Sequence, residues 1–403
     1  MDLLILFCIS GFKKGEKMER NKKIRNIIFV SLVASLFFCL SLVCWFREET
    51  KYSESERRSL ATFPTISTEA IVNKEFMEKF ETFSLDQFPW RDSFRSLKAI
   101  VKYGVFFQKD NNGIYMTKGH LSKMEPTLQT NMLDYASEKI TNIYNKYLKE
   151  QNSKCYFTVV PDKNFFLSEE NGYLSMNYEN LFSYMKNKIF FAEYLDITPF
   201  LDLSDYYKTD THWKQECIMD VAVFLNDQMT KEKSERATIN EILQQSEKKL
   251  LSYELMKFEM PFYGVYYGQA ALPMKPDTLY YLQSEVLKKC KVTSYDTGKP
   301  VETVLYNMEK GKGKDAYELF LSGTSALQMI ENPFAENEKE LLVFRDSFGS
   351  SLIPLLVDEY SKITVIDIRY VQSDMLGTLV DFHGQDTLFL YSTLILNNSL
   401  ALR

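Results

Sequence analysis

An uncharged stretch near the N-terminus limits the folds open to this chain more than any other feature. The stretch "IIFVSLVASLFFCLSLVCWF", Ile27 to Phe46, has no charged residue and no proline, and only scattered serines interrupt its apolar surface. About 20 residues at a rise of roughly 1.5 Å match the hydrocarbon thickness of a bilayer, about 30 Å. A helix in a soluble core would need one polar face. The stretch therefore predicts a transmembrane anchor over residues 27–46.

The charges that flank this stretch predict its orientation. Lys and Arg cluster ahead of it in "FKKGEKMERNKKIR", whereas Arg47 and Lys51 behind it are mixed with acidic residues. Because positive charge tends to stay inside, residues 1–26 are expected in the cytoplasm and the rest of the chain outside. A cleaved signal peptide is the alternative, but no small-x-small cleavage pattern follows the stretch. We expect a single-pass protein of the cell membrane.

The composition excludes several classes of function. The chain has a formal net charge of -6 and contains 3 histidines. Binding to nucleic-acid phosphates needs clustered Lys and Arg, and these occur only ahead of the membrane stretch, so we expect no nucleic-acid partner. The scarcity of histidine and the lack of CxxC and HExxH patterns predict no metal site. No motif predicts a cofactor.

The order of apolar patterns predicts the fold. Residues 47–110 hold a polar linker and two amphipathic helix patterns, so we expect an extracytoplasmic linker and helical region there. Later, apolar strands alternate with helices, most clearly in "ELLVF", "SSLIPLLVDEY", "KITVIDI", "SDMLGTLVD" and "DTLFLYS". Strands that are apolar throughout indicate a mostly parallel sheet covered on both faces. We expect an α/β protein whose residues 111–403 form a three-layer α/β/α sandwich, although the strands between Lys231 and Gly313 cannot be placed.

A serine follows one of these strands directly. Active sites of α/β sheets gather at the carboxyl ends of the strands. In "ELLVFRDSFGSSLIPLL", Ser347 lies where a strand turns into a helix, and N–H groups of the first helical turn can stabilise an oxyanion there. Ser347 is therefore a candidate nucleophile. The structural alternative is that Asp346, Ser347 or Ser350 only caps the helix.

A histidine in "YYKTDTHW" is the candidate base. Asp210 precedes His212 by two residues, so its carboxylate can reach Nδ1–H and fix the tautomer while Nε2 takes a proton. The alternative is that Asp210 and Thr211 cap a helix that begins near Trp213. A second Asp-x-His pattern, Asp381–His383, lies in a polar turn, so the spacing alone is not specific.

Several stretches together resemble a known family. From about Ser55 to Leu396 the chain resembles the DHHW family, which is related to the alginate O-acetyltransferases and has an SGNH-hydrolase-like domain. The resemblance rests on "FPWRDSFRSLK", "NGIYMTKGHL", "VVPDKN", "YYKTDTHW", "VFRDSFGSSLIPLL" and "VIDIRY". Two positions depart from the family pattern. Thr211 stands at the second position of the Asp-His-His-Trp motif, and Arg345 replaces the glycine of the Gly-Asp-Ser block.

The resemblance implies a triad in permuted chain order. Ser347 would be the nucleophile, His212 the general base and then acid, and Asp210 the residue that orients His212. The implied activity is O-acetylation of an exported or cell-surface polysaccharide through an acyl-serine. Family analogy implies a multi-spanning membrane acyltransferase as the source of the acyl group, because acyl-CoA is absent outside. The alternatives are a carbohydrate O-acetyl esterase and a non-catalytic glycan-binding or scaffold protein of a polysaccharide export system.

Three further residues are candidate substrate contacts. Trp213 could stack on a sugar ring, although a tryptophan in this position is also typical of a core. Lys163 in "VVPDKN" follows a strand and could meet an anionic glycan, with a solvated lysine as the alternative. Arg345 adjoins the nucleophile and could contact the acyl donor or the acceptor.

Overall fold

The computed structural model describes residues 2–53 and 55–403, so Met1 of the predicted cytoplasmic segment and Glu54 of the predicted linker lie outside the described residues. The chain forms two compact units, Met1–Leu97 and Lys98–Arg403. The helices are α1 (Asp2–Phe46), α2 (Thr68–Val72), α3 (Glu75–Asp86), α4 (Arg91–Gly104), α5 (Thr130–Ile143), α6 (Lys163–Leu167), α7 (Tyr178–Lys188), α8 (Met219–Thr230), α9 (Ile239–Leu250), α10 (Val265–Ala270), α11 (Glu285–Lys289), α12 (Met308–Gly311), α13 (Gly349–Leu356) and α14 (Thr393–Leu396). The strands are β1 (Tyr52–Ser53), β2 (Arg58–Ser59), β3 (Ile114–Thr117), β4 (His120–Lys123), β5 (Cys155–Val160), β6 (Glu193–Tyr194), β7 (Glu254–Phe262), β8 (Asp277–Gln283), β9 (Lys291–Ser294), β10 (Val301–Thr303), β11 (Leu327–Glu331), β12 (Glu340–Arg345), β13 (Lys362–Ile366) and β14 (Asp386–Ser392).

One large sheet organises the second unit. It has 8 strands in the order β10-β9-β11-β13-β12-β14-β5-β6. The strands from β13 to β6 are parallel to their neighbours, whereas β11, β9 and β10 pair antiparallel at one side. The structure thus confirms the predicted α/β fold with a mostly parallel sheet.

Side chains of the central strand β12 alternate between two cores. Leu341 and Val343 belong to a core on one face, which also contains residues of α8 and α13. Leu342 and Phe344 belong to a core on the other face, which contains residues of α5 and α7. A strand with helices on both faces has no side that meets water, which explains why the sequence of β12 is apolar throughout.

The strands that the sequence could not place are antiparallel. β9 and β10 pair with each other, and β9 pairs with β11 at the side of the large sheet. β7 and β8 form a separate two-stranded sheet. In β7 most side chains remain exposed, so the strand lacks the continuous apolar pattern that identified the buried parallel strands.

The helix expected to begin near Trp213 begins six residues later, at Met219. The backbone before it has other hydrogen-bond partners. Tyr206 and Trp213 form an antiparallel bridge, and the N–H of Lys214 donates to the carbonyl of Asp205 at 2.7 Å. His212 therefore lies in an extended turn and not at a helix start, and the expectation of a helix cap formed by Asp210 and Thr211 is wrong.

The apolar N-terminal stretch is helical. Within α1, Asn21–Cys44 is long and apolar enough to cross a membrane, with a mean hydropathy of 2.8, and none of its most apolar window is buried against the protein. It overlaps the predicted anchor over residues 27–46 and starts earlier. Length and composition are compatible with an anchor or a signal sequence, and the orientation stays a prediction.

Truncation of a side chain in the core under β12 tests the packing of the sheet. Phe344 is fully buried and its ring stacks on Phe389, with centroids 4.9 Å apart. We expect Phe344→Ala to lower the free energy of unfolding by about 3–5 kcal/mol, because it removes buried apolar contacts and leaves a cavity. Urea unfolding in detergent micelles measures this. Phe190→Ala, at a ring that is 82% exposed, is the control and is expected to change little. Equal effects of the two would contradict the assigned register.

Candidate active site

The turn between β12 and α13 holds Ser347. Asp346 is fully buried, and its carboxylate accepts hydrogen bonds from the N–H of Phe348 at 3.0 Å and from the N–H of Ser392 at 2.7 Å. Since Ser392 ends the neighbouring strand β14, Asp346 fastens the turn to the sheet. Asp346 therefore has a structural role, and the adjacent hydroxyl of Ser347 stays partly exposed at the carboxyl edge of the sheet.

A glycine lets α13 begin directly against the strands. A Cβ added at Gly349 would lie 2.9 Å from Cβ of Arg345 and 3.1 Å from Cδ2 of Leu390. Both distances are below ordinary van der Waals contact, so a larger residue would push the helix start away. Gly349 thus fixes the position of Ser347 relative to the sheet.

A tight turn carries Asp210 and His212. The N–H of Tyr207 donates to the carbonyl of His212 at 3.1 Å and closes the turn. The carboxylate of Asp277 accepts from the N–H groups of Lys208 and Thr209, at 2.9 and 2.7 Å. A turn without regular secondary structure is therefore held by side chains from elsewhere in the fold.

The carboxylate of Asp210 is fully buried and accepts hydrogen bonds at both oxygens. Its Oδ1 accepts from Nδ1 of His212 at 2.6 Å and from the N–H of His212 at 3.1 Å. Its Oδ2 accepts from the N–H of Val265 at 2.8 Å. Gly264 allows this approach, because a Cβ there would lie 2.3 Å from Cα of Asp210. These contacts restrict the orientation of the Asp210 carboxylate relative to the imidazole of His212.

The structure brings Asp210, His212 and Ser347 together. Nε2 of His212 lies 2.8 Å from Oγ of Ser347, across 135 positions of sequence. Because Nδ1–H donates to Asp210, Nε2 is left as the acceptor for the serine hydroxyl. Asp210 and His212 are buried, whereas Ser347 is partly exposed. A carboxylate, an imidazole and a hydroxyl in this order can activate the hydroxyl as a nucleophile.

Trp213 and Gln215 join the two halves of the site. The indole N–H of Trp213 donates to the carbonyl of Phe348 at 3.1 Å and to Oγ of Ser351 at 3.0 Å. Nε2 of Gln215 donates to the carbonyl of Ser351 at 2.7 Å. These bonds tie the segment after His212 to the first turn of α13, which follows Ser347.

Tyr317 is a site residue that the sequence did not indicate. Its ring stacks on the imidazole of His212 with centroids 3.8 Å apart and planes 6° apart, and its hydroxyl lies 2.7 Å from Oγ of Ser351. An aromatic face stacked on an imidazole restricts the rotation of the imidazole ring. Tyr317 lies in a short 3-10 helix between β10 and β11, and no motif surrounds it.

Lys163 donates hydrogen bonds to the backbone of the turn that carries Asp210 and His212. Its side chain is buried, and Nζ donates to the carbonyls of Tyr207 and Lys208 at 2.8 and 3.3 Å. Burial lowers the pKa of Lys163 from 10.5 to about 7, although Asp210 and Asp277 oppose the shift. A glycan contact by Lys163 stays a prediction, and the placement favours a supporting role.

Arg345 and Trp213 are also buried. Nη1 of Arg345 donates to the carbonyl of Asp346 at 3.3 Å and lies 3.6 Å from the carboxylate of Asp367. Burial lowers the pKa of the Arg345 guanidinium. Among the described residues, Nε and Nη2 of Arg345 have no hydrogen-bond partner. Substrate contacts by Arg345 and Trp213 stay predictions.

The second Asp-x-His pattern shows the importance of context. His383 and Asp381 are 3.5 Å apart in an exposed turn, and the imidazole also lies 3.5 Å from Glu340. Nδ1 of His383 contacts the side-chain amide of Gln385, and no nucleophile adjoins the pair among the described residues. Asp210 and His212 differ from this pair because both are buried and because the hydroxyl of Ser347 adjoins the imidazole.

Part of this chain matches a known protein family. Residues 205–366, which include Asp210, His212 and Ser347, match the profile of the DHHW protein family. The match confirms the resemblance that the sequence motifs predicted. No protein of curated function matches the chain.

Solved structures of at least three proteins are similar to this chain. A DHHW family protein from Eubacterium siraeum DSM 15702 is 20% identical over 72% of this chain and 94% of its own, with a TM-score of 0.52. Bacillus cereus PatB1 is 20% identical over 70% and 96%, with a TM-score of 0.51, and its structure with a sulfonyl adduct gives 0.53 at 18% identity over 70% and 95%. The O-acetyltransferase domain of Pseudomonas putida AlgJ is more distant, 13% identical over 71% and 92%, with a TM-score of 0.42. The first two proteins share the fold.

A substitution at Gly264 tests the geometry of the Asp210 carboxylate. The added methyl of Gly264→Ala cannot fit 2.3 Å from Cα of Asp210, so the turn must move. A displacement of about 1 Å between reacting groups can lower a rate by about 100-fold. We therefore expect Gly264→Ala to cleave an activated acetyl ester about 100-fold more slowly than the wild type. Gly104→Ala, where no atom lies within 4 Å, is the control and is expected to keep full activity. Equal activity of the two variants would contradict the account of the turn.

The burial of Lys163 predicts a pH dependence of stability. Its pKa falls from 10.5 to about 7 on folding, so the unfolded chain binds more protons between these pH values. The free energy of unfolding should therefore gain a contribution that is absent below about pH 7 and grows as the pH rises toward 10.5. Lys163→Met should flatten the pH profile measured by urea unfolding, whatever its effect on absolute stability. Parallel profiles for the variant and the wild type would show that Lys163 does not titrate in this window.

Proposed function

We propose that the protein is a membrane-anchored, extracytoplasmic O-acetyltransferase that acts on an exported or cell-surface polysaccharide. The observation that carries the proposal is the continuous chain of hydrogen bonds from Asp210 through His212 to Ser347, at 2.6 and 2.8 Å. The match to the DHHW family over the same residues supports it. The AlgJ domain is called an O-acetyltransferase domain, but the argument rests on the site of this chain.

The first half of the reaction acetylates Ser347. Oγ attacks the carbonyl carbon of the acetyl donor while its proton passes to Nε2 of His212. Asp210 holds the imidazole in the required tautomer and stabilises the imidazolium. The tetrahedral intermediate collapses, the donor's leaving group takes the proton from His212, and acetyl-Ser347 remains.

The second half transfers the acetyl group to the acceptor. His212, neutral again, removes the proton of a sugar hydroxyl as that oxygen attacks the acetyl carbonyl. Collapse of the second intermediate releases the O-acetylated sugar, and His212 returns its proton to Ser347. With water in place of the sugar, the same steps give an esterase.

The turn around Ser347 provides one donor for the oxyanion. The N–H groups of Phe348, Gly349 and Ser350 donate to Asp346 or Ser347 and are therefore occupied. Among the described residues, the N–H of Ser347 has no assigned acceptor. We propose that this N–H, at the positive end of the α13 dipole, stabilises the negative charge on the acetyl oxygen.

The proposal also includes a source of acetyl groups and a membrane anchor. Acyl-CoA is absent outside the cell, so an activated acetyl group must be delivered across the membrane, and a multi-spanning membrane acyltransferase is the partner suited to this. The apolar segment Asn21–Cys44 would keep the enzyme beside that partner, with the N-terminus inside and the triad outside.

Acetyl transfer to a glycan separates the possible functions. The full chain in detergent is given an activated acetyl ester and oligosaccharides from the cell-surface polysaccharide, and the sugars are analysed by mass spectrometry. We expect O-acetylated sugars, and a loss of about 10⁴-fold or more in rate for Ser347→Ala. Ser350→Ala, the removal of a nearby buried hydroxyl outside the triad, should retain the activity.

The products decide between the alternatives. Free acetate whose yield is unchanged by added sugar would make the protein an esterase. The absence of both products, together with no reaction of Ser347 with a sulfonyl fluoride, would favour the glycan-binding scaffold. The probe is a reasonable choice because Bacillus cereus PatB1 has been solved with a sulfonyl adduct.

A further inference from the structure

In helix α4 two arginines are shielded by the protein, whereas several apolar side chains face solvent, beside the exposed charges of Asp92 and Lys98. Arg91 and Arg95, one turn apart, are only 16% and 15% exposed, and both contact the carboxylate of Glu56, at 2.5 and 3.1 Å. On the opposite side, Phe94 and Leu97 are 47% and 55% exposed. A surface helix of a soluble protein has the reverse arrangement. The outer face therefore needs an apolar environment that the described residues do not supply.

Trp90 extends this face at the start of the helix. Phe94 and Leu97, three residues apart, lie on one face of α4, and Trp90 directly precedes the helix; we call these three residues the apolar face of α4. The indole of Trp90 is 62% exposed, and the backbone of Trp90 has a φ of 52°. This left-handed conformation is costly for a bulky residue. Most of the Trp90 surface is thus open to solvent despite an unfavourable backbone conformation, which points to a contact outside the protein.

The start of α4 is fastened to the end of the apolar N-terminal span. Gln87, just before α4, accepts from the N–H of Thr50 at 2.9 Å and donates to its carbonyl at 3.0 Å. Thr50 follows Cys44, the last residue of the span, by six residues, which reach at most about 20 Å. Val43 and Arg47 also line the same surface cavity as Trp90. All of these residues belong to the first compact unit.

We infer that the apolar face of α4 lies in the interfacial layer of the lipid bilayer, as a second membrane attachment beside the span. The inference rests on the proposed anchoring of Asn21–Cys44. Trp90 would sit at the level of the headgroups, where the amphipathic indole is favoured, and Phe94 and Leu97 would enter the acyl boundary. Glu56 and Asp86 keep the arginines on the side away from the lipid.

A lipid surface fits these observations better than a protein partner. The span that ends nearby already places this segment at the membrane, so the face meets lipid without any additional binding event. A tryptophan, a phenylalanine and a leucine on one side of a short helix are the composition of interfacial helices.

Quenching by brominated lipids tests the attachment. The full chain is reconstituted in phosphatidylcholine vesicles with or without bromine on the acyl chains, and the emission of the wild type minus that of Trp90→Phe gives the signal of Trp90. We expect bromine to reduce this signal roughly twofold or more, because the indole lies within the interface. A signal that bromine leaves unchanged would overturn the inference and assign the face to a protein partner.

A negative charge introduced on the apolar face of α4, compared with the same charge elsewhere, tests the attachment a second time. Phe94→Glu should abolish the quenching of Trp90, since a carboxylate disfavours entry into the acyl boundary. Thr82→Glu, which adds the same charge at an exposed position of α3, should leave it intact. Flotation of the vesicles separates the two levels of the account: protein that fails to float lacks the anchor itself, whereas floating protein with unquenched Trp90 lacks only the second attachment.

Discussion

The attachment of one irregular turn to the first turn of α13 is the constraint on which the site depends. Asp210 and His212 lie in a segment without helix or strand, and Ser347 lies 135 positions further on than His212. The indole N–H of Trp213, shared between the carbonyl of Phe348 and Oγ of Ser351, joins the two segments. Buried polar groups are costly unless they are paired, so the bonds of Trp213, Lys163 and Asp277 allow few other arrangements of the turn. The hydroxyl and the imidazole meet because this network holds the turn against α13.

Much of this arrangement could be predicted from the sequence, and the exceptions have physical reasons. The parallel strands β5, β12, β13 and β14 were recognisable because burial on both faces makes them apolar throughout, and the family motifs marked the three polar residues at the site. Tyr317 could not be predicted, because its stacking on His212 is a tertiary contact without a local pattern. The start of α8 was misplaced since apolar periodicity continues through Trp213, where bridges to Tyr206 and Asp205 replace helical hydrogen bonds. The antiparallel strands β7 to β10 have mixed exposure, so their pattern is weak.

The two compact units differ in where their apolar and charged side chains lie. Most buried apolar residues of the second unit lie in two cores, one on each side of the large sheet. In the first unit, an apolar span and the apolar face of α4 both remain exposed, while an ion-pair cluster around Glu56 and Asp86 lies inside. This arrangement suits segments in contact with a bilayer, as we propose for the span and for the apolar face of α4. The proposed function would explain these exposed apolar surfaces, because a transferase supplied with acetyl groups through the membrane benefits from attachment at the bilayer surface.

The central claim is that acetyl groups pass through Ser347, and direct observation of that covalent species tests it best. The full chain is mixed with an activated acetyl ester, quenched in acid after milliseconds to seconds, digested, and the peptide containing Ser347 is analysed by mass spectrometry. The account predicts an acetyl group on Ser347 that forms before product and disappears when a glycan acceptor is added. Acetylated glycan that appears while the Ser347 peptide remains unmodified at every time point would contradict it.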